Sequence, residues 1–269
     1  MLPAWRFIDT GSSDAAYNMA IDESIAHYVR RHHMPPTLRL YGWTQPSVSL
    51  GSFQKTTDID LPYCLSERIP VVRRPTGGRA ILHDVELTYS FTTLTSSGLF
   101  SRGLLDSYRK LGMAFIRAFV ICGIAPINTL VMNKKRSSNL RSQPHNPLCF
   151  ASASYGEMTI HGKKIIGSAQ KRWTDVLLQQ GCIPFKLDKK RMTRILGVRV
   201  QKILENTFVG LAELIPDLKI ETLKSAIAIA FEETFEVKLK PSSLSDDEIA
   251  LAGKLTAEKY HTPQWTCRR

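Results

Sequence analysis

Arg73-Arg74-Pro75-Thr76-Gly77-Gly78-Arg79-Ala80-Ile81-Leu82-His83-Asp84 is the stretch from which the rest of the chain is best read. Adjacent glycines let a backbone turn tightly and approach a ligand closely. Their exposed N–H groups, with arginines on either side, suit a carboxylate, a phosphate or a thioester oxygen. A plain Gly-Gly hairpin turn with solvated arginines accounts for the same residues, and His83 taken alone is more often structural than catalytic. The flanks are β-type: Pro70 to Arg74, Ala80 to Leu82 and Leu87 to Thr93 downstream, with Thr37 to Trp43 and Ser47 to Gly51 upstream, parted by Gln45-Pro46. These runs are expected to share one sheet.

Working outward, Trp5 to Asp9 alternates like a short strand, and Asp14 to Arg30 carries apolar residues at helical spacing and ends before Pro35. Ser107 to Cys122 reads as an amphipathic helix that stops at Gly123, and Asn133 to Pro147 as a basic, polar loop. Thr159 to Ile166 looks like two strands about a tight turn at His161-Gly162, and Val176 to Phe185 like another strand with Gly181 inside it. From Lys189 the character becomes helical: Thr222 to Phe235 is Ala-rich, and Ser245-Asp246-Asp247-Glu248 is a capping-box pattern ahead of a run to Tyr260. Many strands among few helices predict an α+β fold with mixed or antiparallel sheets flanked by helices. Residues 1–269 are expected to form one domain, of which 189–269 is the mostly helical part.

The chain has 269 residues, 43% of them hydrophobic and 22% charged, enough for a sizeable core and a pocket. Its longest apolar stretches fall far short of a bilayer span, and no charged start precedes an apolar run, so a cytoplasmic protein without a membrane partner is expected. The five cysteines are scattered, without CxxC or Cys/His spacing, which supports neither a disulfide framework nor a metal site. A formal charge of +12, from 36 Lys+Arg against 24 Asp+Glu, calls for an anionic partner. The basic residues show neither aromatic interleaving nor a helix-turn-helix pattern, so the signal for nucleic acid is weak, and acidic carrier proteins would be attracted equally well.

Two further segments carry chemistry. In Gly162-Lys163-Lys164-Ile165-Ile166-Gly167-Ser168-Ala169-Gln170, a lysine near the start of a β-run points into a cleft, where its ammonium would polarise a carbonyl or hold a carboxylate. The small residues leave room for a chain-like ligand, although an ordinary hairpin with solvent-facing lysines reads the same way. In Pro147-Leu148-Cys149-Phe150-Ala151-Ser152, a cysteine follows the basic loop, where cations would stabilise its thiolate. Most free cysteines are simply small buried hydrophobes, and alone Cys149 does not stand out from the other four.

Together the segments resemble the lipoate-protein ligase and octanoyltransferase family, whose fold is shared by biotin protein ligases. Arg73-Arg74-Pro75-Thr76-Gly77-Gly78 through His83-Asp84, continued by Glu86-Leu87-Thr88-Tyr89-Ser90, is similar to its first motif. Lys164 followed by Gly167-Ser168-Ala169-Gln170 is similar to its second. Asn18-Met19-Ala20 with Asp22-Glu23, Arg39-Leu40-Tyr41-Gly42-Trp43 and Pro46 to Gly51 look like further signatures, and the likeness runs from about Trp5 to the C-terminal helices. The resemblance implies that Lys164 is the active-site lysine.

Two chemistries occupy this fold. A family ligase makes a lipoyl-adenylate with ATP and Mg²⁺; an octanoyltransferase takes a thioester from acyl carrier protein, in some members onto a cysteine, and needs no cofactor. Cys149, fifteen residues before Lys164, lies in a segment resembling the catalytic-cysteine segment of the LipM type. Arg79 also stands where family ligases usually have a third glycine, as in Thr76-Gly77-Gly78-Arg79-Ala80. The implied route is ping-pong through a Cys149 thioester, with Lys164 or His83 tuning the thiol or acting as base. Arg74, Thr76, Gly77, Gly78, Arg79 and His83, with Gly167, Ser168 and Ala169, are expected to surround the acyl chain and its carbonyl. The resemblance implies octanoyl-acyl carrier protein as donor, the glycine-cleavage H protein or the lipoyl domain of a 2-oxoacid dehydrogenase as acceptor, and a monomer. The runner-up is the ATP-dependent ligase; a non-catalytic acyl- or nucleotide-binding regulator on the same fold is the third reading.

Overall fold

Asp14 accepts a hydrogen bond from the Tyr17 N–H and so caps the first helix, α1 (Ala15–His32), which follows strand β1 (Ala4–Ser13). Arg30, Arg31 and His32 occupy the last turn, where cations complement the helix dipole, and His33 turns the chain left-handed at φ 49° ahead of Pro35 and Pro36. The computed structural model describes residues 2–100, 103–124, 128–129, 158–197 and 207–269. The strands are β2 (Thr37–Trp43), β3 (Ser47–Leu50), β4 (Val71–Arg73), β5 (Ile81–His83), β6 (Glu86–Leu94), β7 (Asn128–Thr129), β8 (Met158–Ile160), β9 (Lys163–Lys164), β10 (Gly167–Arg172), β11 (Val176–Pro184) and β12 (Lys238–Pro241). The remaining helices are α2 (Leu61–Ser66), α3 (Leu104–Ile121), α4 (Lys189–Leu196), α5 (Leu211–Leu214), α6 (Ile220–Phe235), α7 (Asp246–Leu255) and α8 (Pro263–Thr266). The fold is α+β.

The main sheet has the order β10-β11-β6-β2-β1-β12, antiparallel from β10 to β2 and parallel from β2 through β1 to β12. Side chains alternate along β6, and the alternation assigns its two faces. Leu87, Tyr89 and Phe91 join an apolar core with Leu111, Phe115 and Phe119 of α3 and Leu223, Ile227 and Phe231 of α6. Ring centroids there lie 4.3 Å apart for Tyr89–Phe115 and 5.2 Å for Trp5–Phe91. Full burial of one such aromatic contributes about 1.5–3 kcal/mol. Thr88 and Ser90 point to the opposite face, which α1 covers.

The expectation of one sheet for all the early strands is corrected. β3, β4 and β5 form a separate three-stranded sheet in the order β4-β3-β5, and β7-β8-β9 a third. Pro46, which has no N–H to give a ladder, stands in the short link between β2 and β3, where the chain leaves the main sheet. The small sheet packs Val48, Leu50, Ile81 and Leu82 against Cys182 of β11 and Met192 and Ile195 of α4. The turn expected at His161-Gly162 has φ 48° and 74°, the left-handed pair that two-residue hairpins favour.

The last eighty residues are not helical throughout: β12 pairs in parallel with β1 at the edge of the main sheet. Ser245 and Glu248 form the expected capping box of α7, and the same Glu248 side chain is buried against both Nη atoms of Arg6 at 2.8 Å. The Ser24 hydroxyl donates to the Glu248 carbonyl at 2.8 Å, fastening α7 to α1.

Candidate active site

Three strands of the main sheet bring Arg39, Ser90 and Gln180 into register, and α1 places Asp22 over them. Asp22 is wholly buried and accepts from Arg39 Nη1 at 2.7 Å, Ser90 Oγ at 2.6 Å, Gln180 Nε2 at 2.7 Å and Tyr41 OH at 2.9 Å. Arg39 also donates to the Asn18 side chain at 2.7 Å, and its guanidinium carbon lies 3.9 Å from the centre of the Tyr41 ring. A buried ion pair is tolerable only when its remaining hydrogen-bonding capacity is used in this way. Burial, reinforced by Asp22, pushes the Tyr41 phenol well above its ordinary value.

Gln180 carries this network to the glycine turn, because its Oε1 accepts from Thr76 Oγ1 at 2.8 Å. Arg74 braces the same turn, donating from Nη2 to the carbonyls of Gly77 and Arg79 at 2.7 and 2.8 Å. Gly51 must be glycine: a Cβ there would stand 1.9 Å from the Gly78 carbonyl oxygen. The Gly77 N–H faces the Gln170 carbonyl at 3.5 Å, the outer limit of a hydrogen bond, and Gly78 holds φ 86°.

Between the main and small sheets lies a cavity. Arg74, His83, Gly167, Ser168 and Ala169 line it, as do Ser49 and Ile81 of the small sheet. Met19, Trp43, Gln180 and Cys182 complete a wall that is mostly apolar with a polar end. At that end His83 stacks on Trp43 at 3.9 Å and 12°. Its Nδ1 lies 2.7 Å from Glu86 Oε1 and its Nε2 2.8 Å from Ser49 Oγ, which also accepts from Arg74 Nη1 at 3.0 Å. A proton on Nδ1 directed at the carboxylate, with Ser49 donating to Nε2, satisfies every member of this chain. The donor atoms of His83, Glu86 and Cys182 lie within 4.8 Å of one another, but both ring nitrogens already have partners.

On the other side Ser168 meets the Tyr89 hydroxyl at 2.9 Å, to which Gln179 donates at 2.6 Å. Burial pushes the Tyr89 phenol up to about 12. Gly181 pairs with Ser168 and leaves room for the Tyr89 ring, whose Cε1 would be 2.3 Å from an added Cβ.

Of the other residues expected at the site, Thr76 is buried behind Arg74, Gly77 and Arg79 are half-buried, and Gly78 is exposed; none of the four lines the cavity. Lys164 is 4% exposed, pairs with Thr159 in β9 and bridges to Phe208, three residues ahead of Gly167. Cys149, its segment from Pro147 to Glu157 and the loop Asn133 to Pro147 lie outside the described residues. Sequence reasoning missed Ser49, Glu86, Gln180 and Cys182. Gln179-Gln180 inside the otherwise apolar strand Val176 to Ile183 was a signal available for one of them.

The chain matches the family model of the lipoyl protein ligase A/B catalytic domain over residues 14–232. It is 37% identical to octanoyltransferase LipM of Carboxydothermus hydrogenoformans, covering 99% of this chain and 100% of that one, and 31% identical to octanoyltransferase LipM of Bacillus subtilis over 98% of both. Among solved structures it superposes on lipoate-protein ligase A bound with ATP at a TM-score of 0.81 and 21% identity, covering 99% of each chain. It superposes likewise on the bi-partite lipoate protein ligase of Thermoplasma acidophilum at 0.82 and 20%, covering 98% and 96%. These structural likenesses concern the fold, whereas the family match spans most of the chain and the sequence relatives all of it. The chain belongs to the lipoyl protein ligase A/B catalytic domain family.

Proposed function

We propose that this enzyme is an acyltransferase of protein lipoylation that moves an octanoyl group from acyl carrier protein, through a thioester on Cys149, to a lysine of a lipoyl-accepting protein. The observation that carries the reading is the full-length relationship to LipM octanoyltransferases. The cavity has about 20 Å³ of open volume, so an octanoyl chain enters beside Gly167, Ser168 and Ala169 as its walls part, each buried methylene then contributing about 0.8 kcal/mol.

The Cys149 thiolate attacks the thioester carbonyl, the carrier's thiolate departs, and the acyl group is now a thioester on the enzyme. The acceptor amine then attacks that carbonyl, loses a proton to a base, and Cys149 leaves as thiolate. Backbone N–H groups of the Gly77-Gly78 turn meet the developing oxyanion. Lys164 as the neutral amine, or His83, takes the acceptor's proton. A thioester already carries activation, so the route needs neither ATP nor a metal. Among the described residues no helix is long and apolar enough to cross a membrane.

Intact mass spectrometry of the protein mixed with octanoyl-acyl carrier protein, beside Cys149→Ala, tests this. A hydroxylamine-labile octanoyl adduct on the unmodified chain alone, chased onto an acceptor H protein, is the expected result. Acceptor modification that requires ATP and free octanoate or lipoate and survives Cys149→Ala would make the enzyme a ligase.

A further inference from the structure

The loop after β3 and the segment Trp265–Arg269 build a cationic face beside the glycine turn. Arg73 ties them together: its guanidinium donates to the carbonyls of Gly51 at 2.8 Å, Gln54 at 2.6 Å and, through two nitrogens, Thr266 at 2.7 and 3.0 Å. The Trp265 indole N–H donates back to the Arg73 carbonyl at 2.8 Å, and Arg268 Nη2 donates to both oxygens of Ser52 at 3.0 Å. Thr56 N–H holds the Arg269 carbonyl at 3.0 Å. This is a fixed surface rather than a pair of loose loops.

Its outer side is cationic and partly aromatic. Phe53 is 67% exposed with the Arg269 guanidinium 5.4 Å from its ring, and Lys55, Arg268 and Arg269 are all exposed. Among the described residues, no Asp or Glu side chain lies within 4.0 Å of these three cations, unlike Arg30, Arg117 or Lys224 elsewhere on the surface. Burial and then the neighbouring Arg269 hold the Arg268 guanidinium below its ordinary value; burial and then Arg268 do the same to Arg73. Like charges gathered without a counter-charge are an electrostatic cost that an incoming anionic surface relieves. An exposed aromatic set among arginines is the composition of a protein contact rather than of a small-anion site.

The face also adjoins the glycine turn, which Arg74 of the cavity wall braces. Ser52 N–H donates to the Thr76 carbonyl at 2.9 Å, and Gly51 touches Gly78. A carrier protein delivers its thioester on a long flexible arm, so its body need not press against the cavity. An acceptor lysine reaches only one side-chain length from its own backbone, so its domain must seat directly beside the entrance.

Resting on the function proposed above, we infer that Phe53, Lys55, Arg268 and Arg269 form the seat of the acceptor protein, a folded domain with carboxylates around its target lysine. The seat brings that lysine to the acyl group past the glycine turn. Phe53 is the apolar centre and the cations steer and orient the partner.

The test separates the two half-reactions in the full-length protein. The combined variant Phe53→Ala/Lys55→Glu/Arg269→Glu and the single variant Lys55→Glu are loaded from octanoyl-acyl carrier protein, freed of donor, and mixed with increasing apo H protein. Loading is expected to be unchanged, while the acceptor concentration for half-maximal transfer rises about tenfold or more in the combined variant and loses much of its salt dependence. Lys55→Glu shows a smaller effect in the same direction, reversed by an acceptor in which a glutamate near the target lysine becomes lysine. Unchanged acceptor dependence, or impaired loading with normal transfer, overturns the proposal. Should the unmodified protein form no acyl-enzyme, the thioester reading fails by itself. The seat is then judged by direct binding of apo H protein to the unmodified and variant chains, where equal affinities overturn it.

Discussion

Glu86 holds His83 from below: its Oε1 lies 2.7 Å from Nδ1 and also accepts from Thr88 Oγ1 at 2.5 Å, while Trp43 donates to that same threonine oxygen at 2.8 Å. The ring is thus fixed on three sides, by Glu86, Ser49 and the stacked indole. Glu86→Ala strands a buried imidazole N–H, a loss of about 1–3 kcal/mol. Thermal melting should fall accordingly, with Glu86→Gln retaining most of the stability because its amide oxygen still accepts. Equal melting temperatures for the unmodified chain and Glu86→Ala would show that the ring does not depend on this carboxylate.

Gly181→Ala is expected to be far more damaging than its size suggests. The added methyl meets the Tyr89 ring at 2.3 Å and the Gly167 carbonyl at 2.8 Å, so β10 or the tyrosine must move, at about 1–3 kcal/mol. Because β10 carries Gly167, Ser168 and Ala169, transfer activity falls with stability. Gly112→Ala, within α3 and with nothing inside 4 Å of its added carbon, should instead stabilise by about 0.5–1 kcal/mol. Denaturant melts of the two variants compared directly check both signs.

Much of this was legible in the sequence, for local reasons. The apolar spacing and Asp14 cap announce α1, Ser245 to Glu248 announces α7, and His161-Gly162 announces its hairpin. What was not legible is long-range. Nothing near Arg73 says that its guanidinium is spent on Thr266, 193 residues away. Lys238 to Pro241 is short and polar, and becomes a strand only because β1 offers an edge. The division of the β-runs into two sheets depends on packing against α4 and β11, which no single run encodes. At the site, Gly167 to Ala169 and His83 were readable as motif; Ser49 and Glu86 stood in quoted signatures, but their contacts with His83, Arg74 and Thr88 are long-range or side-chain matters that the motif does not spell out.

Asp22→Asn tests the spine that ties α1 to the glycine turn. Asp22 is the only carboxylate within 4.0 Å of the buried Arg39 guanidinium among the described residues, and breaking a buried pair from one side costs about 3–5 kcal/mol. A large fall in the unfolding midpoint is therefore expected. Gln180→Ala removes the link from Asp22 to Thr76, a contact with Met19 Sδ and part of the cavity wall, and should lower activity more than stability. If Gln180→Ala retained full transfer activity, neither its hold on Thr76 nor its place in the cavity wall would matter to catalysis.

The buried tyrosines set an alkaline limit. Tyr89 is pushed up to about 12 from an ordinary 10.0, with burial the main cause, and Tyr41 and Tyr260 are raised well above 10.0 for the same first reason. Below pH 10.0 each phenol is protonated in both folded and unfolded chains, and the full contribution to stability is present. Above it the unfolded chain ionises first, so stability is lost as pH rises through the folded value. In the folded protein these three should therefore stay silent in the tyrosinate absorbance through pH 10.0, then ionise together as circular dichroism reports unfolding. Tyr89→Phe should soften the alkaline loss while weakening the hold on Ser168 and Gln179. Ionisation of Tyr41, Tyr89 and Tyr260 near pH 10.0, with structure intact, would contradict the buried network around them.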